Sequence, residues 1–396
     1  MVFKERSTTA QIPIREDRAS KEASKASKTL ERVRIDDIFA LEFSIRAKNK
    51  SGNPYNQAET RLRYEQIINR VIGSVSDRIG VDWHRDRPED IRMAINGADE
   101  FDLFRTIQRT LYDELNIGYM AGSSMASSVW TNGFNCYTGS VLVADALTRM
   151  GKPTHLLLIN RHIQVAGERM TFNTAGALST CISYRPTFER RNRDCEVLGA
   201  GNDLLAHTYS RCATALTYNK MIDEALEICN EGERLNPECT YTLSAKGYAL
   251  SLKGNGSGAM DYYIRALNTN PYSVPALINL TELSIRMSAQ HMVTPIVERV
   301  LAETPKYPTA LYSKGLIEHS KGRWITALRL YHKAIRADRG YYGAWVSAAN
   351  AAKRISPIMA RVVLERSLKH VRDPDGRAWI RSTANNIGIR LRDEVR

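Results

Sequence analysis

The chain has 396 residues, with 56 Lys and Arg against 43 Asp and Glu and a formal net charge of +13. That length allows two or three domains, each with its own core. No stretch approaches ~20 consecutive apolar residues, so no membrane span is expected. Six cysteines lie scattered without paired spacing, which suits a reducing compartment and gives no clustered Cys/His set for a metal. Neither a metal nor another cofactor is expected.

The start, Met1-Val2-Phe3-Lys4-Glu5-Arg6, leads into polar residues without the apolar core of a Sec-type signal. A cytoplasmic location is therefore expected, with export by another route left open. Residues 1–34 repeat Ala19-Ser20-Lys21, Ala23-Ser24-Lys25 and Ala26-Ser27-Lys28 almost in tandem. Such a segment is too polar to offset chain entropy and reads as a flexible basic tail. The other cations are spread along the chain, with no helix-turn-helix, RNP, KH or finger signature. The charge therefore speaks for contact with acidic surfaces and not for specific nucleic-acid recognition.

From Asp36 the sequence turns globular. Residues 59–79 carry Leu62, Tyr64, Ile67, Ile68, Val71 and Ile72 at helical spacing. Pro88-Glu89-Asp90 opens a second helix with Pro and acids in its first turn. Residues 101–115 make a third, with Phe104, Ile107, Leu111 and Leu115 on one face. Residues 118–135, rich in Gly, Ser and other small residues, read as a loop that contacts substrate.

Residues 135–174 carry the chemistry. Cys136 opens an expected helix that Gly151 and Pro153 terminate, and residues 155–159 form an apolar strand headed by His155, expected to be packed. A hairpin follows. With Gly167-Glu168 as a two-residue turn, Ile163 faces Phe172, Val165 faces Met170, and His162 faces Asn173. Alternation puts Ile163, Val165, Met170 and Phe172 on an apolar face and His162, Gln164, Thr171 and Asn173 on a polar one. A thiol at a helix mouth, a His to move its proton and an amide to orient that His are the parts of a nucleophilic acyl-transfer site. The other five cysteines, Cys181, Cys195, Cys212, Cys229 and Cys239, read as inert packing.

This set resembles the transglutaminase-like (papain-related) cysteine enzymes, over about forty residues (Cys136, Gly151, His162 and Asn173). The resemblance implies an α+β domain over residues 35–200 with a short antiparallel sheet. It also implies Cys136 as nucleophile, His162 as acid–base and Asn173 as orienter. Members usually carry Asp-Pro-Thr where this chain has Asn173-Thr174-Ala175, and often an aromatic where it has Gln164. An oxyanion donor is also required. The backbone N–H of Cys136 is the first candidate, with Trp130, Asn132 and Gln164 as further oxyanion or substrate contacts.

After Gly201 the sequence repeats. Pro237, Pro271 and Pro305 stand 34 residues apart, Ala213, Gly247 and Gly315 share one phase, and Ala225, Ala259 and Ala327 share another. Small residues where paired helices approach, with Pro after the second helix, resemble the tetratricopeptide repeat. Phased this way, an all-α solenoid fills 201–375 as repeats 206–239, 240–273, 274–307, 308–341 and 342–375. Residues 376–396 follow as a capping helix. The third repeat is degenerate, with Thr281 and Val293 at its small positions and Pro295 interrupting its second helix. Such arrays bind an extended peptide or helix. Arg211, Lys246, Asn279 and Lys314 are the candidate contacts, and the two lysines, sharing one phase, favour an acidic peptide.

Two functions follow. In one, a cysteine peptidase or acyltransferase acts on a protein amide while the repeats recruit the substrate. In the alternative, the chain is a non-catalytic adaptor that binds a protein partner through its repeats.

Overall fold

A computed structural model describes residues 32–48, 56–119, 124–159, 162–167, 170–172, 182–184, 196–371 and 374–391. The tail reading on 1–31, Asn173, Cys181, Cys195 and the basic run 185–193 lie outside them. The chain divides into two compact units, one comprising residues up to 219 with 227–239, the other 220–226 with 240 onward.

In the first unit four helices lead to the sheet: α1 (Ile35–Lys48), α2 (Gln57–Ile79), α3 (Pro88–Gly97) and α4 (Glu100–Arg109). The last runs on through a π turn, Thr110–Glu114. Asn56 caps α2, its side chain accepting the Glu59 N–H at 3.2 Å, and Gly80 ends it in the left-handed region at φ 73°. Tyr64, Ile68, Val71 and Ile72 are buried as their spacing predicts, whereas Leu62 is 60% exposed, on the opposite side of the helix from that stripe.

Residues 118–135 are not a plain loop. They hold β1 (Gly118–Tyr119), α5 (Met125–Thr131) and β2 (Gly133–Phe134), with the two short strands paired in parallel. The seven-residue α5 has little intrinsic helix preference. It is held by a Ser124–Ser127 capping box and by the buried Glu42, whose carboxylate accepts the Met125 and Ala126 N–H groups at 2.9 and 3.0 Å.

Helix α6 (Cys136–Arg149) is buried over most of its length and packs on β4 of a five-stranded antiparallel sheet. The sheet runs in the order β6 (Ile182–Tyr184), β5 (Met170–Phe172), β4 (His162–Ala166), β3 (His155–Ile159), β7 (Glu196–Leu198). The hairpin register differs from the expected one by two residues: Val165 pairs with Phe172 and Ala166 with Thr171. The Gly167 N–H donates to the Met170 carbonyl at 2.9 Å, so the hairpin closes at those two residues. Glu100 braces the hairpin in this register. Its carboxylate accepts the Met170 N–H at 2.9 Å and fills the space beside Gly167, where a Cβ would stand 2.5 Å from Oε1. A two-residue offset preserves the faces, and Ile163, Val165 and Phe172 remain buried together.

From residue 240 the helices keep the repeat period. First helices α9 (Thr240–Leu252), α11 (Val274–Arg286), α13 (Pro308–Ser320) and α15 (Tyr342–Lys353) begin 34 residues apart. Between them lie α10 (Gly256–Thr269), α12 (Gln290–Glu303), α14 (Trp324–Ala337) and α16 (Pro357–His370), followed by α17 (Pro374–Asn386). The preceding pair is α7 (Asn202–Tyr218) and α8 (Ile222–Leu235). Pro295 does not interrupt α12. It is exposed near the start of the helix, and the carbonyl it leaves without a partner, that of His291, belongs to another exposed residue.

Candidate functional site

Cys136 is a half-buried thiol at the first position of α6. Asn135 caps the helix: its Oδ1 accepts the Thr138 N–H at 2.9 Å, and Thr138 Oγ1 accepts the Asn135 N–H at 3.0 Å. Cys136 thus stands at the positive end of the helix dipole. One turn on, Ser140 Oγ donates to the Ile163 carbonyl at 3.2 Å. That bond ties the mouth of α6 to the start of β4, where His162 pairs with Ile159. The His162 side chain and Asn173 lie outside the described residues. The observed register sets Phe172 opposite Val165, where the sequence arithmetic sets Met170.

The next residue, Tyr137, anchors the helix from behind. Its hydroxyl is hydrogen-bonded to Thr208, its ring is 5.9 Å from that of His207, and the Arg211 guanidinium lies 4.0 Å from its centroid. Burial holds the Tyr137 hydroxyl protonated. Burial, with Arg211 adding to it, pulls His207 down to about 3, so its imidazole is neutral. Burial also pushes the Cys212 thiol up to about 12, which fits the inert role expected of it. Arg211, expected to line the repeat groove, is instead stacked on the residue that follows Cys136.

The oxyanion candidates divide. Trp130 Nε1–H donates to Thr60 Oγ1 at 2.8 Å, with Arg63 3.8 Å from the ring centroid, so its donor is already engaged. Asn132 ends α5 at φ 50° with its Nδ2 3.5 Å from the Leu115 carbonyl. Gln164 pairs with Leu157 inside the sheet.

In the second unit the paired lysines take different surroundings. Lys246 Nζ lies 4.6 Å from the Tyr262 ring centroid, and Lys314 Nζ is 3.7 Å from Glu298 Oε1. Both partners are on second helices, because position seven borders position eight, which packs against the second helix. The acidic-peptide preference loses its basis there. Asn279 lies beside the Tyr263 hydroxyl, which burial holds protonated.

The first helices carry another set that the sequence reading passed over. Arg286 Nη2 donates to Ser251 Oγ at 2.8 Å, joining α11 to α9, and the Ser347 hydroxyl donates to the Tyr312 hydroxyl at 3.4 Å, joining α15 to α13. Glu282 stands between, exposed, yet with its carboxyl raised by loss of surrounding water against the pull of Arg286. Its charge and, more strongly, burial push the Tyr312 hydroxyl up to about 12. A signal was available: Tyr248 and Glu282 share one repeat phase, four residues before Leu252 and Arg286 in another.

No family model matches the sequence, and no curated protein matches it. Solved structures do. One is pilF of Pseudomonas aeruginosa, at 13% identity over 47% of this chain and 90% of that one, with a TM-score of 0.36. Another is a tetratricopeptide repeat protein of Parabacteroides merdae, at 14% identity over 51% and 77%, TM-score 0.36. A third is YrrB, a TPR protein with an unusual peptide-binding site, at 15% identity over 50% and 97%, TM-score 0.29. The helix starts themselves define residues 240–370 as a tetratricopeptide-like helical repeat array.

Proposed function

We propose that this chain is an adaptor whose helical repeats bind a protein or peptide partner. The observation that supports this reading most is the run of polar contacts across successive first helices, Ser251 with Arg286 and Tyr312 with Ser347, around a partly desolvated Glu282. Those side chains give an extended peptide both hydrogen-bond acceptors and donors on one face. A random peptide library selected on the full chain is expected to yield binders. The exposed substitutions Glu282→Lys and Arg286→Glu together should weaken the selected peptides by roughly tenfold or more, ~1.4 kcal/mol. Peptides that bind the double variant as tightly as the wild type would refute the placement on this face.

A second reading, cysteine-dependent acyl transfer, is supported by the Asn135-capped Cys136 thiol and the Ser140–Ile163 bond that brings β4 to the helix mouth. In it, the Cys136 thiolate attacks an amide carbonyl and His162 protonates the departing amine. The resulting thioester passes to water or to an amine. Alkylation at neutral pH is expected to modify Cys136 roughly tenfold faster than a peptide thiol. The rate should fall to the peptide value in His162→Ala. Equal rates in wild type and variant remove this reading and leave the adaptor.

A further inference from the structure

Two of the second helices present the same outward stripe. On α14 the exposed residues Ile325, Arg329, Lys333 and Arg336 follow one another at four, four and three residues. On α16, Ile358, Val362, Arg366 and Lys369 do the same, each 33 residues further on, as the helix starts are. Each stripe lies along one side of its helix, aliphatic toward the N-terminal end and cationic toward the C-terminal end. Residues 324–370 hold nine Lys and Arg against two Asp and Glu, a surplus of seven in a chain whose total is +13.

The two helices pack on the same intervening helix, α15, and one cation from each, Arg336 and Arg366, is near enough to His332 to lower its imidazole further after burial has lowered it. Among the described residues no ion pair joins Arg329, Lys333, Arg336, Arg366 or Lys369 to a carboxylate. The aliphatic members stand out from the surface: Ile325 is 58% exposed, Ile358 74% and Val362 48%. Cations in a last turn complement the helix dipole, which accounts for Arg336 and Lys369. It accounts neither for Arg329 and Lys333 nor for the protruding aliphatics.

We infer that the outward faces of α14 and α16 form a docking surface for an anionic phospholipid membrane. The charge complementarity is direct, and the apolar part selects among polyanions. A nucleic-acid backbone rewards cations and aromatic faces but gives nothing to isoleucine. A folded acidic partner would need pockets shaped to each protruding side chain. A bilayer interface receives aliphatic groups below its headgroups and cations beside its phosphates without any such fit.

The test is co-sedimentation of the full chain with vesicles of phosphatidylcholine alone or with about a third phosphatidylserine. Wild type is expected to pellet at least about fivefold more with the anionic vesicles. Lys333→Glu, Arg336→Glu and Arg366→Glu combined should abolish that difference. Ile358→Ser with Val362→Ser should cut pelleting severalfold and make the remainder disappear at 0.5 M salt, about where screening shortens to a few ångströms. All five side chains are exposed, and unchanged circular dichroism and melting of both variants confirm that only the surface has altered. The inference is overturned if wild type does not distinguish the vesicles, if both variants pellet like wild type, or if the serine variant alone is indistinguishable from it. Retention of RNA or an acidic peptide without vesicle binding overturns it as well.

Discussion

Gly315→Thr is expected to destabilise the repeat unit by ~1–3 kcal/mol, the usual cost of forcing volume into a packed interior. Tyr331→Val is expected to cost ~2–4 kcal/mol through the cavity it leaves. The double variant should recover much of both losses. A Cβ on Gly315 would collide with the Tyr331 ring, and at the equivalent place one on Gly247 would stand 2.7 Å from Tyr263 Cε1. The repeat between these two fills the same phases with Thr281 and Val297, both fully buried. Thr281 loses no hydrogen bond there, because its hydroxyl donates to the Leu277 carbonyl at 2.7 Å. Small-with-large and medium-with-medium are therefore two fillings of one volume. Denaturant midpoints of the four proteins form a double-mutant cycle, with a coupling of roughly 2 kcal/mol expected. Strict additivity would mean that the two positions do not share that space.

That exchange explains how far the repeats were legible. A constraint that recurs every 34 residues leaves its mark in composition, and the third repeat only looked degenerate. Thr281 and Val293 are small enough for the approach they occupy, and Pro295 falls where the helix can spare a donor. In the first unit the amphipathic stripe of α2 was equally plain. What escaped was structure created at long range. Helix α5 has a local Ser124–Ser127 capping box, but Glu42, more than eighty residues earlier, also accepts its first two N–H groups. The hairpin register departs from the one local turn chemistry favours, and it is braced by Glu100, seventy residues before Met170.

The candidate sites divide in the same way. Cys136 at a helix mouth was readable because Asn135 and Thr138 make a local cap. Arg211 was not, since its position belongs to the repeat pattern while its guanidinium belongs to Tyr137. Lys246 and Lys314 shared a phase, but phase fixes only the side of a helix, and the neighbour met on that side differs between repeats. A repeat pattern thus locates a face more reliably than it assigns a side chain's task.

The largest single loss of stability is expected from Arg149→Met, at ~3–5 kcal/mol near neutral pH, the cost of breaking a buried ion pair from one side. The Arg149 guanidinium holds Glu65 through bonds of 2.6 and 3.0 Å and lies 2.9 Å from Asp145 Oδ2. Asp145 is 3% exposed and also accepts the Tyr64 hydroxyl at 2.8 Å. Burial raises the Asp145 carboxyl although Arg149 opposes it, whereas the Glu65 carboxyl, despite burial, is lowered by Arg149 and Arg61. Glu65 in the wild type thus adds stability that is present above its unfolded pKa and lost as pH falls through the lower folded one. Without the guanidinium the already raised Asp145 carboxyl loses its main opposing charge and rises further, while Glu65 keeps only Arg61, 2.8 Å away, and loses most of its lowering, so the variant's deficit grows as pH rises and is least in acid. The two stability curves should therefore converge toward about pH 4 and separate toward about pH 7. Urea midpoints measured across that range decide it. A penalty of constant size would assign the loss to the packed arginine stem and not to the charges it balances.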